Sequence, residues 1–323
     1  MHFDVFNGDA DGIIALLQLR LSQVHPQPKN ITLVTGVKRD ISLLKQVDTS
    51  SATSVVVLDI SLEKNIEALD NLLIKQIPVF YVDHHRASHI PQSTLLTSLI
   101  DTDANTCTSL LVNDYLKGEF PYWAIAAAFG DNMQVSAQQL AEQHHLSKNQ
   151  QALLCELGVY INYNGYGRNI DDLHFHPENL FKQLLNYSNP FDLINEADSV
   201  FHQLKSAYLA DMNKAKEATV LVDNPQLRAI QLADEAWARR VSGVLGNELA
   251  NAEPDKAHAV VTLNESATYT VSLRAPLNNK QGAGDLCAQF PTGGGRAAAA
   301  GINALPVKML GDFFNCVSEY YNT

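Results

Sequence analysis

The sequence is poor in cysteine, and its cysteines are widely separated. Only four occur among 323 residues, and no two of them form a CxxC pair. A zinc knuckle needs closely spaced cysteines, and a disulfide framework needs a higher density of them. Neither is therefore predicted, and all four are expected to be buried thiols: Cys107, Cys155, Cys287 and Cys316.

Long apolar runs are missing as well. No stretch reaches the roughly 18 apolar residues that would span a bilayer. The first residues, Met1-His2-Phe3-Asp4, lack the basic segment and apolar core of a targeting signal. We therefore expect a cytoplasmic protein that does not bind membranes.

Positive charge is also scarce. The 23 basic residues face 35 acidic ones, which gives a formal net charge of -12. Proteins that bind long DNA or RNA without sequence preference use a broad basic face, so long duplex nucleic acid is not an expected partner. A short anionic ligand remains compatible with this charge, and clustered carboxylates that need cations would contribute to it.

The length fits two domains of ordinary size. In the first ninety residues, short β-branched runs alternate with helical patterns, which predicts βαβ units and a parallel sheet in an α/β fold. The pattern turns mainly helical from 106 to about 185. The predicted first-domain strands span 3–6, 31–35, 54–58 and 79–82, and the predicted helices span 12–23 and 63–75.

A second, smaller α/β domain is predicted after a linker. The boundaries are 1–190 for the first domain, 191–217 for the linker and 218–323 for the second domain. The linker includes a predicted helix over 197–214. The second domain has predicted strands at 218–222, 227–231, 257–263 and 268–273, a helix at 241–250, and a glycine-rich turn at 293–295 that is expected to open a helix.

Acidic residues follow three of the predicted parallel strands. Asp9 lies just beyond the first, Asp59 directly follows 54–58, and Asp83 directly follows 79–82. Ligands of open parallel sheets bind beyond the carboxyl ends of the strands, so these acids should converge there. Two simpler interpretations stay open: Asp9 and Asp11 can belong to a plain turn, and Asp59 can cap the following helix.

The tripeptide Asp83-His84-His85 is the sharpest local feature. It puts a carboxylate beside two imidazoles at the end of a strand. One imidazole can bind a metal, and the next can contact phosphate or donate a proton. Carboxylate and imidazole ligands without thiolates suit manganese or magnesium better than structural zinc, and such ions can activate water for attack on phosphate.

Five short motifs together resemble the DHH phosphoesterase family with its DHHA1 carboxy-terminal domain. Their order and spacing match across nearly the whole chain. The resemblance implies a parallel-sheet domain with helices on both faces, linked to a smaller α/β domain. The motifs are Asn7-Gly8-Asp9-Ala10-Asp11-Gly12, Val57-Leu58-Asp59, Asp83-His84-His85, Gly130-Asp131-Asn132 and Gly293-Gly294-Gly295.

The resemblance also implies a metal centre. Asp9 and Asp59 would hold one ion, and Asp59 would bridge to a second ion. Mn²⁺ is the expected metal and Mg²⁺ the alternative, with one or two ions bound. Asp83 would orient the ligand His84 without binding the metal itself. The second ion's ligands would be Asp11, Asp59, His84 and Asp131, and His85 would join these residues in catalysis.

Substrate-binding residues are implied in the second domain. Arg274, in Ser272-Leu273-Arg274, resembles the strand arginine that contacts substrate phosphate. Gly293-Gly294-Gly295 resembles the nucleotide-binding turn, followed here by Arg296. The structural alternative for either arginine is a residue with no ligand.

Two positions depart from the family pattern. Val5 stands where a histidine ligand usually precedes the first aspartate by four residues, and Arg296 stands where the glycine loop usually ends in histidine. Asn7 can offer a neutral oxygen in place of the missing imidazole, but a weaker or vacant first metal site is equally compatible. Arg296 cannot act as a neutral base, yet its planar fork suits phosphate or carboxylate.

The expected function is metal-dependent hydrolysis, by metal-activated water, of phosphodiester or terminal phosphate bonds in short oligonucleotides or nucleotides. Relatives in the oligoribonuclease and single-strand exonuclease branch cleave short oligoribonucleotides, cyclic-dinucleotide products, 3'-phosphoadenosine phosphate or single-stranded DNA. One alternative is a non-catalytic nucleotide-binding protein. Another is a pyrophosphate or polyphosphate hydrolase, which the glycine loop disfavours. The expected partner is the short substrate, and a homodimer is left open.

Overall fold

A computed structural model of the chain describes residues 1–23, 27–264 and 266–322. It divides into two compact units, one ending at Ser206 and the other beginning at Ala207. The predicted linker over 191–217 contains two helices, and the division between the units falls inside the second of them. Within the part of the chain that the structure describes, every helix is too short or too polar to cross a bilayer.

The first unit is built on a sheet of five parallel strands. The order across the sheet is β2-β1-β3-β4-β5. The apolar run at 54–58 forms a strand over the predicted residues, whereas the fifth strand was not predicted. The strands are β1 (His2–Phe6), β2 (Ile31–Val34), β3 (Ser54–Leu58), β4 (Val79–Asp83) and β5 (Leu96–Ile100).

Helices make up most of the remainder of the first unit, and they confirm the predicted helical stretch after residue 106. The ninth helix continues into the second unit. The helices are α1 (Ala10–Leu21), α2 (Leu62–Ile74), α3 (Thr108–Tyr115), α4 (Pro121–Gly130), α5 (Gln134–Gln143), α6 (Lys148–Asn164), α7 (Pro177–Leu184), α8 (Pro190–Asn195) and α9 (Val200–Ala215).

The residues of β1 alternate between the two faces of the sheet. Phe3 and Val5 belong to an apolar cluster that includes residues of α2. Asp4 pairs with Arg20 of α1, and Phe6 contacts the ring of Phe181 on α7. Helices therefore cover both faces of the sheet, as predicted, and the loops at the carboxyl ends of its strands form one shared edge.

The second unit is built on a mixed sheet of six strands in the order β10-β11-β9-β8-β7-β6. Among the described residues of this sheet, the β7–β8 pair is parallel and the other pairs are antiparallel. The predicted strand at 257–263 has the expected bounds. The elements are β6 (Thr219–Asp223), β7 (Leu227–Leu232), α10 (Ala236–Ala252), β8 (Ala257–Leu263), β9 (Thr268–Arg274), α11 (Ala283–Ala288), β10 (Gly293–Gly295), β11 (Ala299–Pro306) and α12 (Leu310–Tyr320).

The prediction that the triple-glycine segment opens a helix is wrong. Gly293–Gly295 is strand β10, and the alanine-rich segment after it turns back into β11. A Cβ on Gly293 would lie 1.8 Å from the carbonyl oxygen of Cys287, so the glycine lets this strand pack against α11. Pairing of β11 with β9 overrides the helix propensity of the alanines.

The cysteines form no disulfide and differ in burial. Cys107 and Cys287 are buried, as predicted, whereas Cys155 and Cys316 are only partly buried. The prediction of four buried thiols is therefore wrong for two of them. Cys155 lies on α6 and Cys316 on α12, where each helix keeps one side towards solvent.

Candidate metal centre

The turn after β1 positions the first two carboxylates. Asp9 caps α1, because its Oδ1 accepts the backbone N–H of Gly12 at 3.0 Å. A Cβ on Gly12 would come within 2.3 Å of the Asn7 carbonyl oxygen, so the turn requires glycine at this position. Asp11 follows in the first turn of α1, and both carboxylates are buried.

Asp11 reaches the amino end of α3. Its Oδ2 accepts the backbone N–H of Thr108 at 2.8 Å, and its Oδ1 accepts that of Ser109 at 2.7 Å. These two N–H groups belong to the first turn of the helix, where they have no partner inside the helix. Asp11 is therefore held by a helix more than ninety residues away in the chain, with its carboxylate fixed at the edge of the sheet.

Asp59 follows β3 in a left-handed backbone conformation, with φ of 56°. Its Oδ1 accepts the hydroxyl of Thr108 at 3.2 Å. The interpretation of Asp59 as a cap for α2 is not supported, because the N–H of Leu62 donates to Asp83 instead, at 3.2 Å. The left-handed conformation, which aspartate tolerates better than most residues, turns the carboxylate towards Thr108.

His84 is the residue that links the carboxylates. Its Nδ1 lies 2.9 Å from the Thr106 carbonyl oxygen, which can only accept, so the proton is on Nδ1. In the neutral imidazole, Nε2 then offers a lone pair to a metal ion. That nitrogen lies 3.3 Å from Asp59 Oδ1, 3.7 Å from Asp11 Oδ2 and 3.8 Å from Asp131 Oδ2.

Asp83 orients His85 and the backbone around it. Its Oδ1 accepts Nδ1–H of His85 at 2.7 Å, as well as the backbone N–H groups of His84 and His85 at 2.9 and 3.2 Å. The expected partner of His84 was Asp83, but the ring of His84 is held by the Thr106 carbonyl instead. His85 is partly exposed, with 31% of its side chain accessible.

Burial and the neighbouring negative charges both disfavour the ionised form of Asp59. Burial raises the pKa of this carboxyl well above its usual value of 3.8, and the neighbouring carboxylates Asp9, Asp11, Asp131 and Asp83 raise it further. A buried carboxylate beside other carboxylates must either take a proton or receive a cation. A divalent ion among these acids would stabilise the ionised form of Asp59 without protonation.

Lys38 is the residue that sequence reasoning missed. It lies in the loop after β2, and its Nζ contacts Asp9 Oδ2. The same ammonium lies 3.2 Å from Asn162 Oδ1 and 3.5 Å from Asp131 Oδ1. Burial disfavours the Asp9 carboxylate, but Lys38 outweighs that effect and holds the pKa of Asp9 below its usual value.

Val5 and Asn7 do not supply a replacement ligand. Val5 is fully buried in the apolar cluster with Phe3 and Val57. Asn7 is used locally, because its Oδ1 accepts the backbone N–H of Asp9 at 3.2 Å and its amide donates to the Lys38 carbonyl at 3.2 Å. Both residues therefore have structural partners.

Apart from His85, which lies in the first unit, the predicted substrate residues belong to the second unit. Arg274, at the end of β9, pairs with Ala299 of β11 and is buried. Its Nε donates to Asn247 Oδ1 at 2.5 Å, its Nη1 to the Ser272 hydroxyl at 3.0 Å and the Leu273 carbonyl at 3.2 Å, and its Nη2 to the Gly243 carbonyl at 3.1 Å. Arg296 is partly exposed at the start of the turn from β10 to β11.

Side chains that could hold a divalent ion cluster at this edge of the first unit's sheet. Among the described residues, two groups of at least three potential ligands stand close enough to hold an ion: Asp11, His84 and Asp131 form one, and Asp59, His84 and His85 form the other. Both include His84, and neither includes Asp9. Oxygen atoms and one neutral imidazole suit Mn²⁺ or Mg²⁺.

Comparisons with known proteins agree on the fold. A scan against family models finds no match, and a search of curated proteins finds none either. Among solved structures, a member of the S1p family of ribosomal proteins with a DHH domain aligns over 99% of this chain and 86% of its own, at TM-score 0.64 and 11% identity.

Two further structures share the fold. The exonuclease RecJ bound to manganese aligns over 99% of this chain and 89% of its own, at TM-score 0.57 and 15% identity. The pGpG-specific phosphodiesterase PggH from Vibrio cholerae aligns over 100% and 99%, at TM-score 0.50 and 12% identity. The resemblance to DHH proteins is confirmed at the level of the two-domain fold.

Proposed function

We propose that this chain is a metal-dependent phosphoesterase that hydrolyses phosphodiester or terminal phosphate bonds in short oligonucleotides or nucleotides. One observation carries the proposal. The lone-pair nitrogen of His84 faces Asp11, Asp59 and Asp131 at 3.3 to 3.8 Å, beyond the carboxyl ends of parallel strands. A shared fold alone does not assign an activity, so the donor set must do so.

The metal proposed for this centre is Mn²⁺, with Mg²⁺ as the alternative. Asp11, Asp59, His84 and Asp131 would hold it. A bound divalent ion lowers the pKa of a water and neutralises charge on phosphoryl oxygens. The structure of the exonuclease RecJ was solved with bound manganese, which supports the choice of metal.

His85 is the proposed proton donor or phosphate contact. Asp83 holds its Nδ1–H, so Nε2 is left to exchange a proton. The side chain is partly exposed, unlike that of His84. An imidazole positioned in this way can donate a proton to a leaving oxygen or contact a phosphate.

The second unit is the proposed substrate-binding domain. A Cβ on Gly294 would meet no atom within 4 Å, so β10 presents open backbone at this residue. Arg296 follows it with a planar fork suited to phosphate. Arg274 donates four of its five N–H groups to atoms of the second unit: one from Nε, two from Nη1 and one from Nη2. Its direct contribution to a phosphate contact is therefore small.

A non-catalytic nucleotide-binding protein is the competing proposal. Val5 and the Lys38 ammonium favour it, because together they remove a ligand and place a cation beside Asp9. The three carboxylates around His84 oppose it. Burying so many acids is costly for folding, and a bound cation would offset the burial and the mutual repulsion that raise the pKa of Asp59.

The test measures hydrolysis by the metal-stripped full chain. The substrates are a diribonucleotide, 3'-phosphoadenosine phosphate and pyrophosphate, each with and without Mn²⁺ or Mg²⁺. We expect release of mononucleotide or phosphate from a nucleotide substrate only when metal is present. Asp59→Asn keeps the size and the tolerance for a left-handed backbone, and it should abolish turnover. Asp70→Asn, an exposed change on α2, is the matched control.

Four outcomes would redirect the proposal. No release from any substrate would favour the binding protein, and metal-independent release would overturn the metal-dependent mechanism. Faster turnover of pyrophosphate than of either nucleotide would favour the pyrophosphate or polyphosphate hydrolase. Full activity in Asp59→Asn would remove the candidate metal centre from the mechanism.

A further inference from the structure

The Lys38 ammonium occupies the side of the centre where the fold family's first ion is expected. The resemblance assigns that ion to Asp9 and Asp59, with a histidine at the position of Val5. In the structure, Asp9 Oδ2 forms an ion pair with the Lys38 ammonium instead. Val5 offers no ligand atom, because it is an aliphatic residue buried in the apolar core. With the Lys38 ammonium in this position, the residues present do not fit a metal ion at Asp9.

Three oxygens hold the ammonium. Asp9 Oδ2, Asn162 Oδ1 and Asp131 Oδ1 face Nζ, and an ammonium has three N–H donors. The ring of Tyr166 lies under the same nitrogen, with its centroid 5.5 Å away, at cation–π range. Donors and acceptors are matched in number, so the position suits an ammonium without a second cation.

The backbone of the Lys38 loop is fixed on two sides. The Lys38 N–H donates to the Gly165 carbonyl at 2.8 Å, and the Lys38 carbonyl accepts the Asn7 amide at 3.2 Å. The loop also packs tightly on the first turn, because a Cβ on Gly8 would lie 1.8 Å from the Gly36 carbonyl oxygen. The side chain therefore starts from an anchored position directly beside Asp9.

The ammonium also borders the other half of the centre. Asp131 lies between the two halves, with Oδ1 3.5 Å from Lys38 Nζ and Oδ2 3.8 Å from His84 Nε2. The Lys38 ammonium would contact Oδ1 of this carboxylate, and a divalent ion at His84 would contact Oδ2. An additional divalent ion at Asp9 would face a fixed positive charge, and like charges at such a distance repel strongly in a buried site.

We infer that Lys38 takes the place of one of two metal ions, so that this chain binds a single divalent ion, held by Asp11, Asp59, His84 and Asp131. The inference rests on the proposed metal-dependent function. The partly exposed Lys38 side chain then provides, beside the ion, the fixed positive charge that faces an anionic substrate.

The test counts bound Mn²⁺ in the metal-stripped full chain by calorimetric titration, by elemental analysis after desalting, and by EPR. We expect one Mn²⁺ per chain, with the spectrum of an isolated ion. Lys38→Gln keeps a hydrogen-bond donor for Asp9 while removing the charge, and it should admit a second ion with magnetic coupling between the two. Lys64→Gln, an exposed change on α2, is the matched control and should keep one ion.

The outcomes separate this inference from the proposed function. Two ions in the unchanged chain would overturn the role of Lys38 and leave a metal-dependent enzyme standing. One ion in both the unchanged chain and Lys38→Gln would show that Lys38 does not exclude the second ion, and would also overturn the inference. No bound ion would overturn both proposals. If Lys38→Gln fails to fold, the number of Mn²⁺ ions bound by Lys38→Met and by the unchanged chain tests the inference in its place.

Discussion

Nε2 of His84 lies 3.3 Å from Oδ1 of Asp59, although the two residues follow different strands. Neighbouring parallel strands β3 and β4 end at the same edge of the sheet, and this places the two side chains side by side. The Thr106 carbonyl oxygen fixes the imidazole through Nδ1, so Nε2 points at the carboxylates. This pair is the centre of the proposed metal site.

Asp131→Asn should weaken Mn²⁺ binding without unfolding the protein. The amide is isosteric, but it removes a negative charge from the carboxylate group that faces both His84 and Lys38. Changes to residues around metal ligands typically cost about 10–100-fold in affinity, so we expect at least that loss for a ligand. Calorimetric titration measures it, with Asp70→Asn as the control, and equal affinity in the two variants would exclude Asp131 as a ligand.

His85→Gln should lower kcat and leave metal binding unchanged. His85 is held by Asp83 and stands next to the metal ligands rather than among them in the proposed centre. Loss of a positioned proton donor costs roughly 10²–10⁴-fold in rate. Steady-state kinetics with saturating Mn²⁺ measures the loss. A large fall in Mn²⁺ affinity instead would make His85 a ligand.

Asp83→Ala should destabilise the first unit by about 2–4 kcal/mol, because it leaves buried N–H groups without an acceptor. The groups belong to Leu62, His84 and His85. Asp83→Asn keeps one carbonyl oxygen and should cost less. Urea unfolding followed by circular dichroism measures both free energies, and equal stability of Asp83→Ala and the unchanged chain would contradict the proposed anchoring role.

Mn²⁺ affinity should rise with pH. Burial, together with the neighbouring carboxylates, raises the pKa of Asp59 in the folded, metal-free chain above its usual value of 3.8. The folded state therefore holds this proton more tightly than the unfolded state does. The stability that Asp59 contributes is present below pH 3.8 and is lost as the pH rises towards and through the raised pKa.

A metal ion must displace that proton, and His84 must also be neutral to bind. The apparent Kd should fall by up to about tenfold per pH unit for each proton displaced. The Mn²⁺-induced increase in Tm should therefore be larger at neutral pH than in mild acid. An affinity and a Tm increase that do not change with pH would show that no proton leaves the site.

Gly158→Ala should destabilise the first unit by disturbing the packing of α4 and α6. A Cβ there would lie 1.8 Å from the Ala126 carbonyl oxygen, so the two helices must separate. Such overpacking typically costs about 1–3 kcal/mol. Asp131 follows α4 and Asn162 lies on α6, so Mn²⁺ affinity should fall as well.

Gly311→Ala is the control for this change, because an added Cβ there would meet no atom within 4 Å. It should be neutral or slightly stabilising, since alanine favours a helix more than glycine does. Urea unfolding compares the two variants with the unchanged chain. An unchanged free energy of unfolding in Gly158→Ala would show that the close packing at this glycine is not needed.

The sequence predicts the parts of the fold that have a local signal. The β-branched run of β3 and the strand β8 have the predicted bounds, because apolar strands in a covered sheet read as continuous hydrophobic runs. The approach of Asp59 to His84 also follows from strand order. Both features depend on short segments whose pattern specifies their structure.

The remaining features depend on contacts between distant segments. Lys38 stands in a loop with no periodicity or motif, and Asn162 comes from α6, more than a hundred residues later in the chain. The run after Gly295 favours a helix locally, but pairing with β9 makes it a strand. Such contacts cannot be deduced from residue types in one segment.

Anomalous diffraction from crystals of the full chain soaked in Mn²⁺ would locate each bound ion and show whether one ion lies at His84. We predict one peak within coordination distance of His84 Nε2 and of the Asp11, Asp59 and Asp131 carboxylates, with Lys38 Nζ still on Asp9. The absence of a peak at His84, or a peak beside Asp9 with Lys38 displaced, would contradict this prediction.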